Sequence, residues 1–264
     1  AHRAKIVSVP MTPTGPDVAL FRQALEDQKP RLYITNSAIH NPTGATLAPA
    51  TAHRLLKLAD QFGLIIVEDD IFADFEHRPA PRLAAFDGFE RVVQIGSFSK
   101  TLSASGRCGF IAARPDWIER LTDLKIATSF GGGRLSAELV LHLLKDGGYR
   151  KYLDALRLRL SRAMEETISR LGSLGITPWL KPEAGMLLWC RLPEGADAAQ
   201  VARTCLTDRI VLAPGNVFSV SQSAGNFLRF NVAQSTDARI FRSLENALKP
   251  AARPPMSSSP GRSS

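Results

Sequence analysis

The sequence predicts an α/β fold with a mostly parallel sheet, followed by a smaller α+β unit. Three observations point there. Short apolar runs alternate with amphipathic helical stretches from residue 17 to residue 171. The runs at residues 32–35, 64–67 and 92–95 are short and apolar, as expected for strands buried in a parallel sheet. Beyond residues 172–175, which include Gly172 and Gly175, the pattern changes to shorter strands with two helices. These boundaries predict a large unit at 1–172, a small one at 173–249 and a Pro/Ser-rich disordered tail at 250–264.

The elements follow in order. Residues 5–9 read as a strand, and residues 17–28 as a helix with Asp17 as its N-cap. Leu32–Thr35 is the next strand, followed by a turn-rich stretch at 36–44. Pro49–Phe62 is a helix with Leu55, Leu56, Leu58, Ala59 and Phe62 on its apolar side, and Gly63 ends it. Residues 64–67 form a strand expected to be buried on both faces, and 92–95 form another. Gly109–Ala112 follows too soon for a crossover helix, which predicts an antiparallel partner for 92–95. Helices are expected at 115–128, 135–144 and 149–171, with a glycine hinge at 131–133. The last of them carries Leu153, Leu156, Leu160, Met164, Ile168 and Leu171 as one stripe at spacings of three and four. Strands at 186–191, 210–212 and 227–232 and helices at 197–207 and 236–248 complete the chain.

Composition narrows the class. The 264 residues include 33 Lys+Arg and 25 Asp+Glu, a formal charge of +8, with 44% hydrophobic and 22% charged residues. That mixture supports a sizeable core and excludes a collagen, a disulfide-rich miniprotein or a wholly disordered chain. No apolar run approaches the roughly 20 residues of a membrane helix, and no secretory pattern opens the chain. Cys108, Cys190 and Cys205 form neither a CxxC pair nor a metal-ligand cluster, so reduced thiols and a cytoplasmic location are expected. The positive charge lies largely at 150–170, with six Lys/Arg against three Asp/Glu, and in Lys249, Arg253 and Arg262. That placement reads as a solvated helix face and a tail. With no recognisable helix-turn-helix, the chain itself is not expected to contact nucleic acid.

Open α/β sheets bind ligands outside the carboxyl ends of their strands. Three polar clusters fall there: His40-Asn41-Pro42-Thr43-Gly44, Glu68-Asp69-Asp70 and Gly96-Ser97-Phe98-Ser99-Lys100. Parallel neighbouring strands would bring an amide, a carboxylate and a lysine to one edge. A lysine amine forms a Schiff base with an aldehyde, and pyridoxal phosphate (PLP) is the aldehyde cofactor that pairs such a lysine with an Asp on its ring nitrogen. An Asn amide can donate to the ring's phenolic oxygen, and small hydroxyls with an arginine suit a phosphate. Ser97, Ser99 and Arg107 are the local candidates. Each cluster alone has a plainer reading as a turn, a strand cap or surface charge. Their order after three apolar strands favours the site.

Five pieces together resemble the fold-type I PLP enzymes of the class I/II aminotransferase group. They are Asn41-Pro42-Thr43-Gly44, Val67-Glu68-Asp69-Asp70, Ser97-Phe98-Ser99-Lys100 with Arg107-Cys108-Gly109, Pro182-Glu183-Ala184-Gly185-Met186, and Leu228-Arg229-Phe230. The resemblance covers residues 5 to 248. Glu68-Asp69-Asp70 with Ile95-Gly96-Ser97-Phe98-Ser99-Lys100-Thr101-Leu102 looks most like the MocR-type branch, in which an aminotransferase-like domain senses effectors in GntR-family regulators. The 2-aminoadipate aminotransferases look similar.

The resemblance implies roles. Lys100 is the Schiff-base lysine and proton shuttle, and Asp69 pairs with the pyridinium nitrogen. Asn41 meets the phenolic oxygen, while Ser97, Ser99 and Arg107 hold the phosphate. Arg229 clamps the substrate carboxylate through a bidentate fork. Amino-group transfer between an amino acid and a 2-oxo acid is the implied activity. Effector sensing without turnover is the alternative. A homodimer, and no metal, are implied as well. Two departures stand out. Phe72 occupies the place of a family tyrosine and cannot donate its hydrogen bond. The chain also begins after the family's phosphate-loop and stacking segment, which predicts an N-terminally truncated large domain with an exposed sheet edge.

Overall fold

The computed structural model describes residues 4–249. A small hairpin, β1 (Met11–Thr12) and β2 (Gly15–Pro16), precedes helix α1 (Val18–Gln28). Asp17 caps α1 by accepting from the amides of Ala19 and Leu20, which satisfies two donors that no helical turn can reach. Strand β3 (Leu32–Thr35), helix α2 (Pro49–Phe62) and strand β4 (Ile65–Asp69) form a β-α-β unit. Helix α2 opens on Pro49 and stops at Gly63, whose φ of 65° is the left-handed conformation that glycine adopts without strain. Helix α3 (Leu83–Asp87) leads to β5 (Val92–Ser97), and β6 (Gly109–Ala112) returns beside it.

These strands form one sheet in the order β3-β4-β5-β6, parallel except for the antiparallel β5–β6 pair. Register sets the geometry. Thr35 pairs with Glu68, Asp69 with Ile95, and Ser97 with Gly109. The loops after β3, β4 and β5 therefore leave at one level, on one edge. Helices α4 (Pro115–Ser129), α5 (Arg134–Lys145) and α6 (Gly148–Gly172) follow. Helices α4 and α5 bury no residue, whereas α6 buries Leu153, Leu160, Met164 and Leu171 of the expected stripe.

A second sheet is wholly antiparallel, ordered β7 (Thr177–Pro178), β8 (Leu187–Arg191), β10 (Phe227–Asn231) and β9 (Ala213–Pro214). Helices α7 (Ala198–Thr207) and α8 (Ala238–Leu248) cover it. Two buried clusters hold the molecule together. One joins α1, α2 and β4 through Phe21, Leu25, Leu55, Leu58, Leu64 and Ile66. The other centres on Leu188, Cys190, Leu228, Phe230 and Leu244, and it takes in Ile39, Phe72 and Phe75 from the loops after β3 and β4. Each fully buried side chain of this kind contributes about 1.5–3 kcal/mol, so those loops are held by the core of the second sheet. Among the described residues, no helix is long and apolar enough to cross a membrane.

The class expected from sequence stands: an α/β fold with a mostly parallel sheet and a C-terminal α+β part. Several details differ. Residues 5–9 are not a strand; among the described elements no strand pairs with them, and the hairpin forms at 11–16 instead. Residues 210–212 are irregular, and the short strand is displaced to Ala213–Pro214, where β10 offers a partner. Strand β4 is not buried on both faces but alternates, with Ile66 and Glu68 buried and Ile65, Val67 and Asp69 half-buried. Strand β3 lies at the edge of its sheet and leaves Leu32 48% and Ile34 65% exposed, so it is not a buried strand. The expected disordered tail at 250–264 lies outside the described residues.

Candidate active site

Strand β3 delivers the chain into a tight turn. The Gly44 amide donates to the His40 carbonyl at 2.7 Å, and the His40 amide donates to Ala45 at 2.9 Å. Gly44 is needed there: its φ is +74°, and a Cβ would come within 2.6 Å of Pro182 Cγ. His40 Nδ1 lies 2.8 Å from Thr43 Oγ1, and burial lowers the His40 pKa to about 4, so the ring is neutral at pH 7. The side chain at the head of this turn is Asn41. Its Oδ1 accepts from Arg229 Nη1 at 2.8 Å across 188 residues of sequence. Since only the amide oxygen can accept from a guanidinium, the Asn41 NH2 remains available to donate elsewhere.

At the end of β4 three consecutive acids meet three different fates. Side chains alternate along a strand. Glu68 is fully buried, accepting from the Ser37 hydroxyl and from the Leu83 and Ala84 amides. Asp70 lies between the Arg82 guanidinium and the Gln94 amide, and Arg82 reaches on to Glu76. Burial pushes the pKa values of both Glu68 and Asp70 up. Asp69 takes neither route. One of its oxygens accepts from the Ile71 amide at 3.0 Å, and its carbonyl accepts from Asn36 Nδ2 at 3.0 Å. The neighbours are thus structural, and Asp69 is the acid on the opposite face.

Strand β5 ends in the lysine turn. The Ser97 hydroxyl lies 3.0 Å from Ser99 Oγ and 3.3 Å from the Cys108 carbonyl, and it accepts from the Ser99 amide. The Leu102 and Ser103 amides both donate to the Phe98 carbonyl. Of residues 97–101, only Lys100 is exposed, and the adjacent Thr101 is buried. Arg107 follows the helical turn Ala104–Gly106 with φ 46° and ψ 39°. A non-glycine residue rarely adopts this left-handed conformation, which concentrates at ligand clamps. Close backbone approach fixes the strand pair: a Cβ on Gly109 would lie 2.7 Å from the Gly96 carbonyl.

Arg229 comes from β10, where it pairs with Trp189. Its guanidinium lies 4.6 Å from the centre of the Phe218 ring. Burial lowers its pKa, but arginine remains charged throughout. With Nη1 given to Asn41, Nε is buried and has no hydrogen-bond partner. A buried donor left unpaired is costly. The Nε–Nη2 edge is thus a fork lacking an acceptor, and a carboxylate matches it.

The structure therefore joins Asn41 to Arg229, and Ser97 to Ser99 beside the Arg107-Cys108 backbone. Asp69 and Lys100 stand on adjacent strand ends without touching through a hydrogen bond among the described residues. Phe72 is 7% exposed and packs 6.4 Å from Phe75 in the core. A cavity of about 710 Å³ lies beside the Gly44 turn, between Pro79 and Lys181, but none of the seven candidate residues lines it. Sequence reasoning missed the partnerships of Asp70 with Arg82, Glu68 with Leu83, and Thr101 with Tyr149, which span 12, 15 and 48 residues. It also missed Phe218, whose only signal is a lone aromatic in a polar loop.

The sequence profile of the aminotransferase class I and II family matches residues 1–246. The chain is 27% identical over 253 residues to aromatic-amino-acid aminotransferase 1 of Thermococcus litoralis, covering 90% of this chain and 60% of that protein. It is 29% identical over 189 residues to the HTH-type transcriptional regulator NorG of Staphylococcus aureus, covering 70% of this chain and 43% of the regulator. The crystal structure of LysN, the alpha-aminoadipate aminotransferase of Thermus thermophilus complexed with N-(5'-phosphopyridoxyl)-L-leucine, superposes with a TM-score of 0.84 at 28% identity. That match covers 93% of this chain and 65% of LysN. The chain thus spans about 60% of the length of the aminotransferases it matches.

Proposed function

Because the chain belongs to the aminotransferase class I and II family, whose members use PLP, we propose that it binds PLP at the three strand ends and exchanges an amino group between an amino acid and a 2-oxo acid. The residues fit the group. The observation that carries the reading is Arg229, whose Nη1 is held by Asn41 while its buried Nε lacks an acceptor. When bound, the cofactor supplies an aldehyde to take the amino group and a cationic ring to accept the electrons released at the α-carbon.

Each side chain has one task. The Lys100 amine would hold the cofactor at its aldehyde and would carry the proton to and from the substrate α-carbon. The Asp69 carboxylate keeps the ring nitrogen protonated, because a nearby negative charge favours the cationic form. The Asn41 NH2, oriented by its bond to Arg229, donates to the phenolic oxygen. Ser97, Ser99 and Arg107 hold the phosphate, and the Nε–Nη2 edge of Arg229 holds the substrate carboxylate. Phe72 is buried in the core, which leaves Asn41 as the proposed donor at the phenolic oxygen. By family likeness the working protein is a cytoplasmic homodimer, to which this chain contributes a partial large unit at 1–172 and a small unit at 173–249.

The test is a PLP titration followed by absorbance, then borohydride reduction and peptide mapping. The expected label falls on Lys100 and disappears in Lys100→Ala; a label elsewhere, or none, refutes the reading. A second reading rests on the likeness to HTH-type regulators: effector sensing through the same site with no turnover. It is favoured if amino acids perturb the bound cofactor's spectrum while no 2-oxo acid product accumulates.

A further inference from the structure

We propose that Tyr149 is a positioning residue for Lys100, locking the lysine turn to the segment after Asp69 through a Thr101–Tyr149–Asp74 hydrogen-bond relay. The proposal rests on the functional reading of Lys100 given above.

Tyr149 opens helix α6 and is 8% exposed. Its hydroxyl donates to Asp74 Oδ2 and lies 2.9 Å from Thr101 Oγ1. A phenol has one proton. With that proton given to the carboxylate, the phenolic oxygen must accept from Thr101, so the relay runs in one direction from threonine through tyrosine to aspartate. Burial and the Asp74 carboxylate both push the Tyr149 pKa up, so the phenol keeps its proton at any working pH.

Both ends of the relay are anchored. Asp74 belongs to the helical turn Ala73–Phe75, five residues after Asp69. Its carbonyl accepts from Arg157 Nε at 3.0 Å, and Arg157 pairs with Asp154 on the same face of α6. Phe75 of that turn is 1% exposed in the core. At the other end Thr101, 2% exposed, directly follows Lys100. Tyr149 also meets the turn a second time, since the Phe98 ring packs edge-on against it with centroids 6.0 Å apart. Lys100 thus lies between two neighbours pinned by the same tyrosine, and the Leu102 and Ser103 amides close the turn behind it on the Phe98 carbonyl. The lysine backbone is held while the residue itself stays exposed. The separations of 48 and 75 residues make this a tertiary device, distinct from local capping.

Three variants separate positioning from bulk stability. Tyr149→Phe keeps the ring on Phe98 and removes the relay. Thr101→Val removes it from the other side, and Thr101→Ser restores the hydroxyl. Two readouts are taken. In the cofactor-free protein, hydrogen exchange of the Leu102 and Ser103 amides is expected to speed up about tenfold in Tyr149→Phe and Thr101→Val, but not in Thr101→Ser. After PLP loading, the pH midpoint of the bound cofactor's visible absorbance is expected to move by at least half a unit in the same two variants, with PLP affinity down about tenfold. The double variant is expected to be no worse than either single one. Unchanged exchange and an unchanged midpoint in Tyr149→Phe overturn the proposal, as does faster exchange spread evenly over the whole protein. If the parent takes up no PLP, the functional reading fails by itself, and the exchange result still judges the lock.

Discussion

Replacing His40 tests how the Asn41 turn is held. The ring is neutral and half-buried, with a folded pKa of about 4 against about 6.5 in the unfolded chain. The unfolded state therefore binds a proton that the folded state refuses between those two values. A depressed folded pKa contributes stability that is full above pH 6.5 and is lost as pH falls toward 4. The difference of about 2.5 corresponds to about 3.4 kcal/mol in all, of which about 2 kcal/mol is already lost at pH 5. Urea unfolding of the parent and of His40→Asn at pH 8, 6.5, 5.5 and 5 measures this. The asparagine can still meet Thr43 Oγ1, the partner of the native Nδ1, so a cost of about 1 kcal/mol is expected at pH 8. The parent's advantage should then shrink and reverse by pH 5. A stability gap between the two proteins that stays constant from pH 8 to pH 5 would refute the reasoning.

Other perturbations read other parts of the site. Glu68→Gln places an NH2 where three donors converge; a loss of about 1–3 kcal/mol in chemical unfolding is expected, and a neutral result would mean the acid is not the acceptor of those bonds. Gly44→Ala meets both the positive φ and Pro182, so it should cost more than about 1 kcal/mol and weaken PLP binding in the same titration. Arg229→Lys cannot present a fork; calorimetry with a carboxylate ligand should show affinity reduced about tenfold or more. Phe218→Leu removes the cation–π contact at 4.6 Å, worth about 0.5–2 kcal/mol, and should weaken the same ligand about two- to thirtyfold.

Period and punctuation made most of the fold legible. Helix α2 is bounded by Pro49 and Gly63, and both ends match the sequence reading. The antiparallel β6 followed from the lack of room for a crossover helix. What failed was short and edge-bound. Residues 5–9 and 210–212 look like strands in isolation, yet a strand exists only where a neighbour completes its hydrogen bonds. Pairs such as Thr177–Pro178 are too short to carry a pattern at all. In the site, residue types on strand ends could be read, but partners could not. That Asn41 meets Arg229, or Thr101 meets Tyr149, depends on how two sheets and a long helix pack, and no local signal encodes it.

The alternation along β4 has a consequence for how the chain tolerates insertions and deletions. Three acids in a row look redundant, as though any one could serve a cationic ring. They are not interchangeable, because the strand's pleat turns Glu68 and Asp70 to structural partners and Asp69 to the other face. Adding or removing one residue ahead of Glu68 would rotate the row by one place. Removing one would hand Asp69 to the helix-capping slot and Asp70 to the face proposed for the cofactor, and adding one would hand Asp69 to the Arg82 slot and Glu68 to that face. A frame-preserving indel in this strand should therefore abolish function outright, where most single substitutions in the same strand would only weaken it. The run of acids is a reading frame in space, and the hydrogen bonds to β3 and β5 keep it in phase.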